Sequence, residues 1–144
     1  MIPEFTDDGL LPPVIHTASL EEFRQRFNVF TGSDQRLRVF ESFERLFLEG
    51  QNSGIVRRVI VGGSFVTARP DPNDFDCILV LDRGIVGRTL RPFQYNLVSR
   101  RMARRMFGGD VLPALDGSAA VDEYLRFFQS TRDGEPVGVV EVRA

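Results

Sequence analysis

The 144-residue chain is 42% hydrophobic and 26% charged, the length and composition expected of one globular domain with a single core. One cysteine, Cys77, and one histidine, His16, exclude an internal disulfide, a cysteine-based zinc cluster and a His-rich metal site, so any bound metal must be held mainly by carboxylates. All 18 basic residues are arginine, which excludes P-loop and Schiff-base lysine chemistry, while the net charge is only −2.

Residues 1–18 hold prolines and glycines around the short apolar pairs Leu10-Leu11 and Val14-Ile15, a pattern that predicts an extended arm. The same segment lacks the basic region and apolar core of a secretory signal, so a cytoplasmic location is expected. Ser19 opens a capping box with Glu22, and a short helix carrying Leu20, Phe23 and Phe27 follows. After the break at Thr31 to Asp34, Ser33 is the expected N-cap of a second helix running to about Glu49, with Leu37, Phe40, Phe43 and Phe47 on its apolar face.

Ile55 to Gly63, IVRRVIVGG, predicts a largely buried strand, and Phe65 to Ala68 is expected to begin a short helix. Asp74 to Asp82, DFDCILVLD, predicts the next strand. Its period of two puts Asp74, Asp76, Ile78 and Val80 on one face and Phe75, Cys77, Leu79 and Leu81 on the other. The segment from about Thr89 to Phe107 predicts a helix with Pro92 in its first turn. Gly108 to Leu115 predicts a strand, Ser118 caps a last helix, and PVGVVEVRA closes the chain as a strand. This order gives an α+β (mixed α/β) fold, a small mixed sheet flanked by helices, with residues 1–144 forming a single domain.

Two aspartates at i and i+2 of a strand present both carboxylates to one side, where like charges raise each other's pKa unless a cation lies between them. Two readings are open for Asp74 and Asp76: a divalent metal site, or a surface pair screened by water. What precedes them bears on the choice. A strand ending in Gly62-Gly63-Ser64 lets backbone amides approach a phosphate closely, and the serine hydroxyl adds a donor. The calcium-loop pattern fails whether started at Asp71 or Asp74, and neither G-x-x-x-x-G-K nor G-x-G-x-x-G is present.

Between Arg88 and Phe107 lie six arginines, Arg88, Arg91, Arg100, Arg101, Arg104 and Arg105, and no acidic residue. This stretch reads as a solvated face, as a contact for nucleic acid or triphosphate, or as a docking surface for an acidic partner. The arginine bias of the whole chain reads as the codon composition of a GC-rich genome. His16 reads as a packing or hydrogen-bonding residue, and Cys77 as a small buried hydrophobe.

Gly63-Ser64, nine residues, then Asp74-x-Asp76 at the start of an apolar strand resembles the signature of the DNA polymerase beta superfamily of nucleotidyltransferases. The likeness is to its minimal bacterial members, often encoded in toxin–antitoxin pairs. The opening IPEFTDDGLLPPVIHTASLEEF is similar to the start of an uncharacterised bacterial group within that superfamily.

The resemblance implies a metal-dependent enzyme that transfers a nucleoside monophosphate from a nucleoside triphosphate to an acceptor hydroxyl on a protein or RNA. It implies that Asp74 and Asp76 ligate Mg2+ or Mn2+ and that Gly62, Gly63 and Ser64 contact the triphosphate. It places the third carboxylate on a later strand, where GGDVLPA offers Asp110; Glu141 on the last strand is the competing residue. With no lysine, phosphate neutralisation falls to arginine, with Arg69 and the Arg88–Arg105 segment as candidates. The alternative is a catalytically silent nucleotidyltransferase fold that binds protein as an antitoxin or assembly partner. Transfer to a small molecule such as an antibiotic is a third reading, and it usually requires substrate-binding structure this chain does not show. No membrane partner is expected, because no apolar run approaches the roughly 18 residues of a span.

Overall fold

The computed structural model describes residues Met1–Ala144, and its order of elements follows the apolar pattern of the chain. The first helix, α1 (Leu20–Phe27), starts where the Ser19 hydroxyl accepts a hydrogen bond from the Glu22 amide at 3.1 Å. It buries Phe23 and Phe27. The second, α2 (Gln35–Ser53), buries Val39, Phe40, Phe43, Leu46 and Phe47 along one stripe and stops at Gly54, whose φ of 70° is left-handed. Asp34 occupies its N-cap position, and the Ser33 hydroxyl accepts from the Gln35 amide instead. The helix passes through Gly50, where the sequence predicted its end. A Cβ there would make ordinary van der Waals contact with Val56 at 3.5 Å, and Gly50 keeps helical geometry in place of a stop.

Five strands form one mixed sheet in the order β1-β5-β2-β3-β4: β1 (Ile15–Ser19), β2 (Val56–Gly62), β3 (Asp76–Leu81), β4 (Asp110–Leu115) and β5 (Val139–Arg143). β2 is antiparallel to both β3 and β5, whereas β4 runs parallel to β3 and β1 parallel to β5. The expected α+β fold with a mixed sheet is what the chain adopts. Residues 15–19 depart from the expected arm by joining the sheet as its edge strand. In front of them Leu11 is fully buried, and His16 Nε2 lies 2.7 Å from the Pro12 carbonyl oxygen.

One sheet face, with Val59, Val61, Cys77, Leu79, Val111, Val140 and Val142, packs under α1, α2 and their phenylalanines. Fully burying one such ring contributes about 2–3 kcal/mol. The other face, with Ile60, Ile78, Val80, Leu112 and Ala114, is partly covered by α5 (Ala119–Phe128) through Val121 and Phe128.

The basic segment is two helices rather than one, α3 (Pro92–Val98) and α4 (Arg100–Phe107), broken at Ser99. Ser99 is extended, and its hydroxyl accepts from the Met102 amide at 3.2 Å, capping the second helix. The bend lets Leu97, Ala103 and Phe107 all reach the core. No helix is long and apolar enough to cross a membrane.

Candidate functional site

Asp76 opens β3 and Asp110 opens β4, and the two are register partners on parallel strands. Strand alternation sends both side chains to the face that carries Ile78 and Leu112. Asp74 lies two residues earlier, and the Phe75 between the aspartates is driven into the core, edge-on to Phe43 at 5.5 Å. That apolar anchor fixes the start of β3. Room for it comes from Gly109, where a Cβ would lie 2.3 Å from the Phe75 ring.

On the other side of Asp76 is Gly62, the last residue of β2. Gly63 follows with φ 73° and ψ −167°, a region essentially reserved for glycine. A Cβ on Gly63 would lie 2.2 Å from Asp76 Oδ2, so the turn and the carboxylate share one space. Ser64–Val66 forms a single 3-10 turn instead of the expected helix over 65–68. Phe65 pins that turn into the core, 5.8 Å from Phe23. The amides of Gly63, Ser64 and Phe65 donate to no acceptor of the chain. Successive free amides of this kind suit an anion.

Buried Arg36 holds the following loop from α2. It donates to the carbonyls of Phe65 at 2.8 Å, Thr67 at 2.6 Å and Arg69 at 3.0 Å. The sequence reading missed this residue, since it sits among the exposed-looking charges of QRLR; its single signal is a position on the same helix face as Phe40 and Phe43.

Across the aspartates lies α4. Arg100 forks onto Asp110, with Nε to Oδ1 at 2.9 Å and Nη2 to Oδ2 at 3.0 Å, and Arg104 Nη1 lies 2.6 Å from Asp74 Oδ2. Arg101 makes no ion pair and lines the same open cleft of about 660 Å³ with Asp74, Asp76, Asp110, Arg100 and Arg104. Three acids and three arginines therefore face one another without an apolar wall. Burial, then the charges of Asp74 and Asp110, push the Asp76 carboxyl up to about 6, although Arg104 and Arg100 pull it the other way. The hydrogen bond and charge of Asp110 raise Arg100 above its ordinary value.

Of the residues proposed from sequence, Asp74, Asp76 and Asp110 are brought to one cleft, with Gly62, Gly63 and Ser64 at its rim on the neighbouring strand end. Arg69 is not brought there; it pairs with Asp71, Nε to Oδ1 at 3.6 Å. Glu141 is not brought there either. It lies mid-strand on β5, its side chain 7% exposed, held by Arg58 and Arg143 beside a separate cleft of about 500 Å³ at the opposite end of β2.

As the side chains stand, no three His, Cys, Asp or Glu residues converge on a metal position. The outer two carboxylates are turned to arginine. In kind the donor set fits a hard divalent cation, being all carboxylate oxygen, with mutual repulsion at Asp76 that a cation would relieve. The missing Cβ of Gly63 lets the Asp76 carboxylate lie directly against the turn.

No curated protein and no solved structure matches the chain. A family model matches residues 3–143, nearly the whole length, and the chain belongs to that family, DUF6932, a family of unknown function.

Proposed function

We propose that this protein is a nucleotidyltransferase that moves a nucleoside monophosphate from a nucleoside triphosphate to an acceptor hydroxyl on a protein or RNA. The observation that carries the proposal is the side-by-side placement of Asp76 and Asp110 at the ends of parallel strands, next to a glycine turn with free amides. The site resembles the DNA polymerase beta superfamily in both parts, the turn and the acids.

Each group has a defined task. The amides of Gly63 and Ser64 donate to the outer phosphates, and Arg101, free of any carboxylate, adds charge where lysine is absent. Asp74, Asp76 and Asp110 would hold Mg2+ or Mn2+, which when bound neutralises charge on the phosphate oxygens and favours an ionised acceptor hydroxyl. Asp110 would help activate the attacking hydroxyl by taking its proton. The acceptor oxygen forms a bond to the alpha phosphorus, the bond from that phosphorus to the bridging oxygen breaks, and pyrophosphate departs with the electron pair.

Incubation with triphosphate labelled at the alpha phosphate, magnesium and a mixture of cell protein and RNA tests the proposal. Label should pass to one acceptor class. Transfer that survives Asp74→Asn combined with Asp76→Asn would contradict it.

A second reading has an observation of its own. Asp110 and Asp74 are already neutralised by Arg100 and Arg104, as expected of a silent site whose exposed Arg101 and Arg105 dock an acidic protein as an antitoxin or assembly partner. Calorimetry separates the two: magnesium-dependent triphosphate binding favours transfer, and its absence favours the silent fold.

A further inference from the structure

We propose that Arg100 and Arg104 are exchangeable counter-ions of the aspartate cleft. They hold Asp110 and Asp74 while the cleft is empty, and move to the phosphates of an incoming triphosphate as a divalent cation takes their place. The cation and the polyphosphate then enter as one unit, and neither binds well alone. This deepens the metal–triphosphate reading of the cleft and rests on it.

Charge balance supplies the first reason. Three carboxylates face three guanidiniums, so the empty cleft is close to neutral. A divalent cation entering alone must break the Arg100 fork on Asp110 and the Arg104 contact with Asp74, and it leaves two guanidiniums beside it without a partner. A triphosphate entering alone brings more negative charge to three carboxylates. Arriving together, the cation takes the carboxylate oxygens and the phosphates take the arginines, and every charge keeps an opposite neighbour.

Geometry supplies the second. A guanidinium fork fits phosphate as it fits carboxylate, through two parallel N–H donors. The side chains of Arg100 and Arg104 are 63% and 56% exposed, so they can swing about their own χ angles without moving α4. The Glu141 cluster shows the contrast. Its carboxylate is 7% exposed and held from both sides by Arg58 and Arg143, whereas Asp110 and Asp74 are 34% and 27% exposed and open to an incoming cation. Arg101 starts without a carboxylate partner and is therefore the first contact for the polyphosphate.

Binding of Mn2+ alone, followed by electron paramagnetic resonance of the free ion, tests the exchange without any turnover. The Arg100→Gln/Arg104→Gln double variant should bind Mn2+ alone roughly ten-fold more tightly than the parent chain, a typical coupling between sites. Each single variant should show part of that gain, which keeps the test intact even where the double variant fails to fold. A non-hydrolysable triphosphate analogue, titrated by calorimetry with and without magnesium, should show metal-dependent binding in the parent chain and a smaller metal dependence in the variants. Unchanged or weaker Mn2+ binding in every arginine variant would overturn the exchange. The outcome is separable from the transfer assay: a gain of Mn2+ affinity without transfer leaves the exchange standing and removes the enzyme, and transfer without the gain does the reverse.

Discussion

Asp76 and Asp110 stand opposite each other in register, each the first residue of its strand, β3 and β4. Parallel pairing makes the two carboxylates emerge at the same end and on the same face; Asp74 joins them from just before β3, and the Gly63 turn closes on Asp76 from the end of β2. The cost of that crowding falls on Asp76.

Asp76 should therefore work against stability when ionised. Burial and its two acidic neighbours raise its carboxyl from an ordinary 3.8 to about 6. Between those values the folded chain binds more protons than the unfolded chain, so stability falls as pH rises through the window and the full penalty is present at neutral pH. Asp76→Asn should raise stability at pH 7.5 by about 1 kcal/mol once solvent screening is allowed for, or roughly 3 °C in Tm. Thermal melts of both proteins between pH 4 and pH 8 check this. Curves that stay parallel across the window would contradict it.

Gly63→Ala should damage both fold and site. The added methyl would meet Asp76 Oδ2 at 2.2 Å, and the backbone at φ 73°, ψ −167° is strained for any L side chain. A loss of about 2 kcal/mol or more is expected, read from urea midpoints. Combining it with Asp76→Ala removes the clash but not the strain, so the double variant should recover part of the loss.

Glu141 and Asp110 should separate cleanly. Burial pushes the Glu141 carboxyl up, but hydrogen bonds from Arg58 and Arg143 outweigh it and leave the group below its ordinary 4.5. Its contribution to stability is present above that value and is lost as pH falls through the depressed folded value. Glu141→Gln should cost about 1–3 kcal/mol of stability and leave transfer intact, since it lies mid-sheet away from the cleft. Asp110→Asn should reduce transfer by at least about a hundred-fold with little change in the melt. Parallel melts and transfer assays on the two variants decide between them.

Much of this arrangement was legible in local pattern. The Ser19–Glu22 cap, the phenylalanine stripe of α2 and the period of two in DFDCILVLD each follow from one short window, although β3 spans only Asp76–Leu81 and Asp74, the expected first residue of the strand, lies just before it. What was not legible depends on contacts distant in sequence. IHTAS becomes β1 only because β5, more than 100 residues later, offers a parallel edge. Ser99 breaks the basic helix without glycine or proline, because the core needs Phe107 and Leu97 at once. Arg36 looks like any surface arginine until the loop carbonyls it satisfies are brought over it. The arginines of α4 were legible as a basic stretch, but their pairing with Asp74 and Asp110 comes from the turn that lays α4 across the strand ends.

The central claim is that this cleft transfers a nucleotidyl group, and the most direct measurement follows the alpha phosphate. With each nucleoside triphosphate labelled at that position and magnesium present, the parent chain should pass label to protein or RNA and release unlabelled pyrophosphate. Asp76→Asn and Asp110→Asn should each abolish it. No transfer from any of the four triphosphates to any acceptor, by a folded chain that also fails to bind them in calorimetry, would contradict the account.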